Sequence, residues 1–368
     1  MAGRVELRIG LALAALGFLL AGLGASIAVL ARDLDKSTDQ LAILSSAFAV
    51  GLLIVAVTGP YLLRTLHIGT VLRAGSLICA VGAAALALAG GFALAVAGGL
   101  LIGLGGALLV LVAPLLLHGP TAAARLTRVN AVSSATGILA PLAIGGVDAL
   151  GTTGRIALLA AVPPLLVLAA LSGPGEAPGQ QEAEGAPKAH VLKGWLRVVL
   201  AVAVEFCFVV WAVARLAATG VPMSTAALLG SAFPIGMAVG RAIGPLHWRG
   251  WSPLIPALLL ATTGTLLVCL FNQPAAVTTG LALAGLGVAP LYPLTIAALV
   301  AIPGINPARL AALGALASGT AILLAPTFLA ALAGWLDLRT AFLIPLPLLA
   351  LLWAVSRDRQ PVPVKEPA

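Results

Sequence analysis

Charged residues are so sparse along this chain that they act as punctuation between apolar runs. Uncharged runs occupy residues 9–31 and 40–63. Residues 74–124 hold no Lys, Arg, Asp or Glu over 51 positions, with a turn signal at Gly90-Gly91. Runs at 129–147 and 156–173 follow. Beyond a polar gap lie 196–216, whose only mid-span charge is Glu205, then 217–245, with Arg241 near its end, and 250–308, interrupted at Asn272-Gln273-Pro274, then 310–334 and 340–356. A helix needs about 20 residues to cross a bilayer core of about 30 Å. The 74–124 and 250–308 runs are each long enough for two crossings. The pattern predicts an all-α membrane protein of twelve transmembrane helices, six on each side of the gap. Arg4 and Arg8 precede the first run as in a secretory leader, but its 23 residues exceed a leader's apolar core. It is expected to be span 1.

Composition agrees: 61% of residues are hydrophobic and 9% are charged, against about 25% charged in soluble domains. The net charge of +8 does not mark a nucleic-acid binder, because the basic residues are scattered singly between spans rather than clustered beside aromatics. Their distribution orients the chain instead. With the N-terminus inside, fifteen Lys and Arg fall in inner segments and five outside (Arg32, Lys36, Arg155, Arg215, Arg339). The positive-inside rule then places both termini and the gap in the cytoplasm of a cell-membrane protein. The gap, SGPGEAPGQQEAEGAPKAHVL, is too poor in apolar residues to build a core and reads as a linker. The expected organisation is a six-helix bundle over 1–171, a linker over 172–193 and a second bundle over 194–368.

The two halves repeat one another. LSSAFAVGLLIVAVTGP (44–60) answers LGSAFPIGMAVGRAIGP (229–245) without a gap at an offset of 185. SSATGILAP (133–141) answers SGTAILLAP (318–326) at the same offset, and Gly103-Leu104-Gly105 answers Gly285-Leu286-Gly287 at 182. Six helices per half make the repeats parallel, related by an axis along the membrane normal.

Twelve helices as six plus six, a cytoplasmic mid-linker and these repeats resemble the major facilitator superfamily over nearly the whole chain. The family's loop signature after span 2 runs roughly Gly-x-x-x-Asp-Arg-x-Gly-Arg-Arg. GPYLLRTLHIG keeps Gly59 and Arg64 but has Leu63 at the acidic position. The second half offers GRAIGPLHWRG, with Arg241. Span 5, Gly137 to Gly146, resembles the Gly-Pro-Gly-Gly motif of proton-coupled antiporters, with Ala140 where Gly is usual. GLGVAPLYPLT (285–295) is similar to sugar-porter-like and fucose-permease-like members. The first points to efflux and the second to uptake, and efflux is the direction favoured. The resemblance implies a secondary active transporter working by alternating access, monomeric, with no cofactor.

The chemistry-bearing residues are few. Glu205 is the one acidic residue at mid-depth. A carboxylate there costs roughly 3 kcal/mol on insertion scales and favours its protonated form, so Glu205 is the candidate site for proton coupling or for a substrate cation, against an interhelical hydrogen bond. Ser26, Ser133, Ser134, Trp211 and Tyr292 are candidate cavity residues, with helix-backbone bonding or packing as the plainer roles. Arg64, Arg241, Gly59, Pro60, Gly244 and Pro245 are candidate gating residues, Arg241 with snorkelling to the interface as its alternative. His67, His118, His190 and His247 fall in or beside inner loops. Cys79, Cys207 and Cys269 lie singly in apolar runs and read as small buried hydrophobes. GLGGAL (103–108) lies inside a span, which excludes a nucleotide loop, and no metal-ligand spacing or catalytic arrangement is present. With no charge at mid-depth in the first half, the expected solute is small, organic and neutral or cationic. The rival functions are a membrane-embedded enzyme, which needs more converging polar groups, and a channel, which needs no duplicated bundle.

Overall fold

The computed structural model describes residues 2–36, 38–41, 43–117, 121–173, 188–243 and 253–357. Most of the expected linker (174–187), together with Gly244, Pro245, His118 and His247, lies outside the described residues, as does the side chain of Pro60. Among the described residues, nine helices are long and apolar enough to cross a membrane and three shorter apolar helices complete twelve. The chain is a multi-pass membrane protein.

In chain order the crossings are α1 (Ala2–Leu34), α2 (Ile43–Thr65), α3 (Ile68–Ala87), α4 (Phe92–Leu116) and α5 (Ala122–Ala149). Crossing α6 opens as a 3-10 helix (Gly154–Ala161) and continues as an α-helix (Val162–Leu171). The second half holds α7 (Lys188–Ala217), α8 (Met223–Gly230 and Ala232–Ile243), α9 (Leu254–Leu270) and α10 (Pro274–Val288 and Leu291–Val300). Last come α11 (Pro307–Trp335) and α12 (Leu338–Ala341 and Pro345–Ser356). The breaks expected at Gly90-Gly91 and Asn272-Gln273 fall where α3 gives way to α4 and α9 to α10. Helix α7 starts at Lys188, so the last residues assigned to the linker are helical. The interruption of α8 at Ser231 has a local cause: Pro234 has no N–H for the Gly230 carbonyl.

Packing repeats between the halves. In the first, α1 packs on α5, α2 on α4 and α3 on α4; in the second, α7 packs on α11, α8 on α10 and α9 on α10. The halves meet along two seams, α2 with α11 and α5 with α8. The offset of 185 converts one seam into the other, as a two-fold axis between parallel repeats requires.

The repeated residues explain themselves at these crossings. A Cβ on Gly103 would collide with the Phe48 carbonyl, and one on Gly285 with the Phe233 carbonyl. Phe48 and Phe233 are repeat partners, as are the two glycines. Gly51 and Gly236 face α4 and α10 at the same crossings, where a Cβ would stand 2.5 Å from Leu104 N and 3.0 Å from Leu286 N respectively. Lipid supplies no hydrophobic drive between helices, so backbones held this close supply the van der Waals contact instead.

Both termini of the described chain, the end of α6 and the start of α7 lie at one end of the molecule, here the linker end. The opposite, far end is pinned by arginines. Arg155 at the start of α6 donates to the Ala89 carbonyl at the end of α3 (2.7 Å) and to Asp33 (3.0 Å). Asp33 also accepts from Thr153 (2.6 Å), and Arg32 donates both to Asp33 (2.9 Å) and to Asp148 (2.8 Å). Burial pushes the Asp33 carboxyl up, but Thr153, Arg32 and the charge of Arg155 outweigh it and hold it below the usual carboxylate range. In the second half, Arg339 at the start of α12 donates to the Cys269 and Leu270 carbonyls. Arg215, fully buried, donates to the carbonyls of Val268 (3.1 Å) and Phe271 (2.7 Å). Asp337 caps α12 by accepting from the Thr340 N–H, which lowers its carboxyl below the ordinary value.

Candidate functional site

The site grows out of a broken helix. In α10, Pro293 has no N–H to offer the Ala289 carbonyl four residues back. That carbonyl accepts instead from Nε of Arg241 on α8 (3.3 Å). With its root tied there, the Arg241 side chain turns inward and is buried, 6% exposed as a residue, rather than snorkelling to the membrane edge. Its Nη2 donates to Oε1 of Glu205 on α7 at 3.2 Å. Its Nη1 donates to the hydroxyl of Ser134 on α5, in the opposite half. One guanidinium thus holds an acceptor on each of three helices, two from its own half and one from across the seam.

The Glu205 side chain is 15% exposed and that of Arg241 is 7% exposed. Each charge alone would cost several kcal/mol in a low-dielectric interior, and the pair with its satisfied hydrogen bonds offsets much of that. The sequence expectation of a lone protonated carboxyl left out this partner. Tyr292 on α10 lies within electrostatic reach of both charges and is bonded to Ser318 on α11. The Ser318 hydroxyl also donates to Gly314 O of its own helix (3.1 Å). Tyr292 also lines a cavity of about 30 Å³ with Asn130, Leu126, Leu13, Val110 and Pro114. That volume holds a water or two.

The other candidates are spread out. Trp211 on α7 donates from Nε1 to Pro326 O of α11 (3.1 Å), a contact within the second half. Ser133 packs where Gly17 of α1 passes α5, and Ser26 is fully buried with its hydroxyl on Leu23 O of its own helix (2.9 Å). Arg64 and His67 are exposed at the linker end, and His190 is exposed in the first turn of α7. A Cβ on Gly59 would lie 2.8 Å from Leu111 and 3.9 Å from Ala312, which puts this glycine at the α2–α11 seam. The three cysteines are buried and free. Sequence reasoning missed Ser318 and Asn130. Ser318 was visible as the repeat partner of Ser133, while nothing in the sequence marked Asn130.

No family model matches the sequence, and no curated protein does either. Solved structures do match. The E. coli fucose:proton symporter FucP superposes with a TM-score of 0.71 at 18% identity, over 95% of this chain and 98% of that one. The proton:xylose symporter XylE, bound to 6-bromo-6-deoxy-D-glucose, gives 0.73 at 14% identity, over 95% and 94%. The human organic anion transporter TETRAN gives 0.70 at 17% identity, over 96% and 98%. The chain therefore carries the fold of the major facilitator superfamily, two six-helix halves that meet along α2–α11 and α5–α8.

Proposed function

We propose that this protein is a secondary active transporter that moves a small organic solute by alternating access, with Glu205 as the site of proton coupling. One observation carries the reading: Arg241 is tied to Glu205 in its own half and to Ser134 in the other. Protonating Glu205 removes the charge that anchors Arg241, and the change is felt directly at a seam between the halves. Each half is stiff enough to move as a body, because α2–α4 and α8–α10 are locked backbone to backbone. The cross-half contacts at Gly59–Ala312 and Ser134–Arg241 run from mid-depth toward the linker end, which the Lys and Arg distribution assigns to the cytoplasm. Two structural neighbours are proton symporters by name, which supports the coupling ion. Efflux stays the favoured direction on the span 5 motif alone, with uptake of a sugar-like metabolite as the alternative, and a monomer is the working unit.

The test is Glu205→Gln, which keeps shape and hydrogen bonding but cannot titrate. Purified protein is reconstituted into proteoliposomes with a solute selected by a thermal-shift screen. The variant should exchange labelled solute across the membrane yet fail to accumulate it against a gradient. Accumulation with unchanged pH dependence would sink the coupling. Counterflow separates the rival classes: a channel shows no exchange acceleration, and an enzyme yields product.

A further inference from the structure

We propose that the transported solute carries one carboxylate, or an equivalent single negative charge, which takes the place of Glu205 against Arg241 when Glu205 binds a proton. This rests on Glu205 being the proton site. Among the described residues, the charges paired inside the bundle at this site are Arg241 and Glu205, and they cancel. When Glu205 is protonated, the guanidinium keeps only neutral acceptors, Ser134 Oγ and Ala289 O. An uncompensated buried cation is strongly destabilising. A neutral solute leaves that charge standing, a cation doubles it, and a dianion reverses it. A monoanion alone restores neutrality.

Geometry agrees with the charge balance. A guanidinium is a planar fork of N–H donors matched to a carboxylate. Nη1 and Nη2 of Arg241 each carry a second N–H beyond the bonds to Ser134 and Glu205. Of the two paired side chains, Glu205 is the more exposed, 15% against 7%, so an incoming group meets the carboxyl first and can displace it from the fork. The expectation of a neutral or cationic solute counted Glu205 as an unpaired charge; Arg241 reverses its sign.

The step balances. A proton from one bulk phase goes to Glu205 Oε1, the Arg241 Nη2–H···Oε1 bond breaks, and the same N–H donates to the solute carboxylate. Proton and monoanion cross together and no net charge moves, so an inward proton gradient drives uptake, the alternative direction given above, rather than efflux. The titratable groups that face Glu205 are Arg241 from α8 and Tyr292 from α10; α5 and α11 bring Ser134 and Ser318, whose hydroxyls do not titrate.

The experiment uses a fragment that mimics the missing side chain. Glu205→Ala keeps Cβ and deletes CH₂COO⁻, so a short monocarboxylate such as propionate can restore the lost carboxylate. The thermal midpoint of the purified full-length variant is measured with propionate, propionamide and propylammonium at pH 7.5. Propionate should raise the midpoint saturably while the amide and the amine do not. Wild type should be silent at pH 7.5 and respond to propionate as the pH falls. The double variant Glu205→Ala/Arg241→Gln should lose the response. Glu205→Gln, which preserves volume, is the second background, with acetate and acetamide as its probes. Equal responses to acid and amide in both backgrounds, or a propionate response that survives without Arg241, overturns the proposal. If the anion effect is missing while Glu205→Gln still loses accumulation, the solute class alone falls. Normal accumulation by Glu205→Gln removes the coupling reading instead.

Discussion

At the α5–α8 seam, Arg241 reaches across to Ser134; at the α2–α11 seam, a Cβ on Gly319 would lie 3.0 Å from Leu53 and 3.4 Å from Leu52. The repeat makes these places equivalent. Ser134 aligns with Gly319 and Arg241 with Ala56 at the shared offset. One seam therefore packs glycine against leucines, and the other carries the Arg241–Glu205 pair. Duplication built the scaffold, and the chemistry sits where the two copies disagree. Helix α1 has no charge at the depth of Glu205 in α7, so the partner of Arg241 also belongs to one half alone.

The largest effect should come from attacking what the halves share. Gly103→Leu and Gly285→Leu each drive a side chain into a carbonyl of the crossing helix, at Phe48 and Phe233. Overpacking against flexible side chains costs about 1–3 kcal/mol, and backbone yields less readily. Both variants should lose most of their folded, monodisperse protein, and to a similar degree. Size-exclusion profiles in detergent compare them. Loss at one glycine with tolerance at the other would break the equivalence of the two crossings.

Next comes the part that is not shared. Arg241→Gln leaves the Glu205 carboxylate without its partner, and breaking a buried pair from one side costs about 3–5 kcal/mol. Adding Glu205→Gln removes the stranded charge and should recover much of the loss. At the α2–α11 seam, Ala56→Gln has no counter-charge to strand and should show no such rescue when paired with any change in α1. Unfolding by SDS titration gives the four free energies of the cycle. Additive single effects at Arg241 and Glu205 would mean that the contact carries no coupling.

The architecture was legible in the sequence because lipid imposes one rule, about 20 apolar residues per crossing, and because the repeat could be read by alignment. Helix breaks at Gly90-Gly91 and Asn272-Gln273 needed no tertiary information. Glu205 was legible as an isolated carboxyl, but its partner was not. Arg241 lies 36 residues away on another helix, and its inward turn depends on the Ala289 carbonyl freed by Pro293. The prolines were seen as bends; that one of them supplies an acceptor appears only once α8 and α10 are packed. Arg215 was likewise counted as an outer charge, while the structure buries it among carbonyls at the end of α9.

The far end offers the finest contrast between the halves, and the smallest effect. Arg155 and Arg339 stand 184 positions apart, and each pins the end of a neighbouring crossing. Arg155 works within a cluster that includes a carboxylate, Asp33, while Arg339 and Arg215 work through backbone carbonyls, which do not titrate. The Asp33 carboxyl lies below its ordinary value in the folded protein: burial opposes this, and Thr153, Arg32 and Arg155 overcome it. A carboxyl lowered on folding contributes stability above its unfolded pKa of about 4, and that contribution is lost as pH falls through the still lower folded value. Asp33→Asn should therefore cost about 1–2 kcal/mol at pH 7, the range for a charged hydrogen bond with its partner partly exposed, and almost nothing near pH 2. Arg339→Gln should carry a cost that stays level over the same range, apart from the small part that comes from the exposed Asp337. Thermal midpoints of the two variants and wild type, read from pH 7 down to pH 2 in one detergent, compare them directly. A difference between Asp33→Asn and wild type that persists at the acid end would show that Asp33 acts by packing rather than by charge, and would make the two far ends alike.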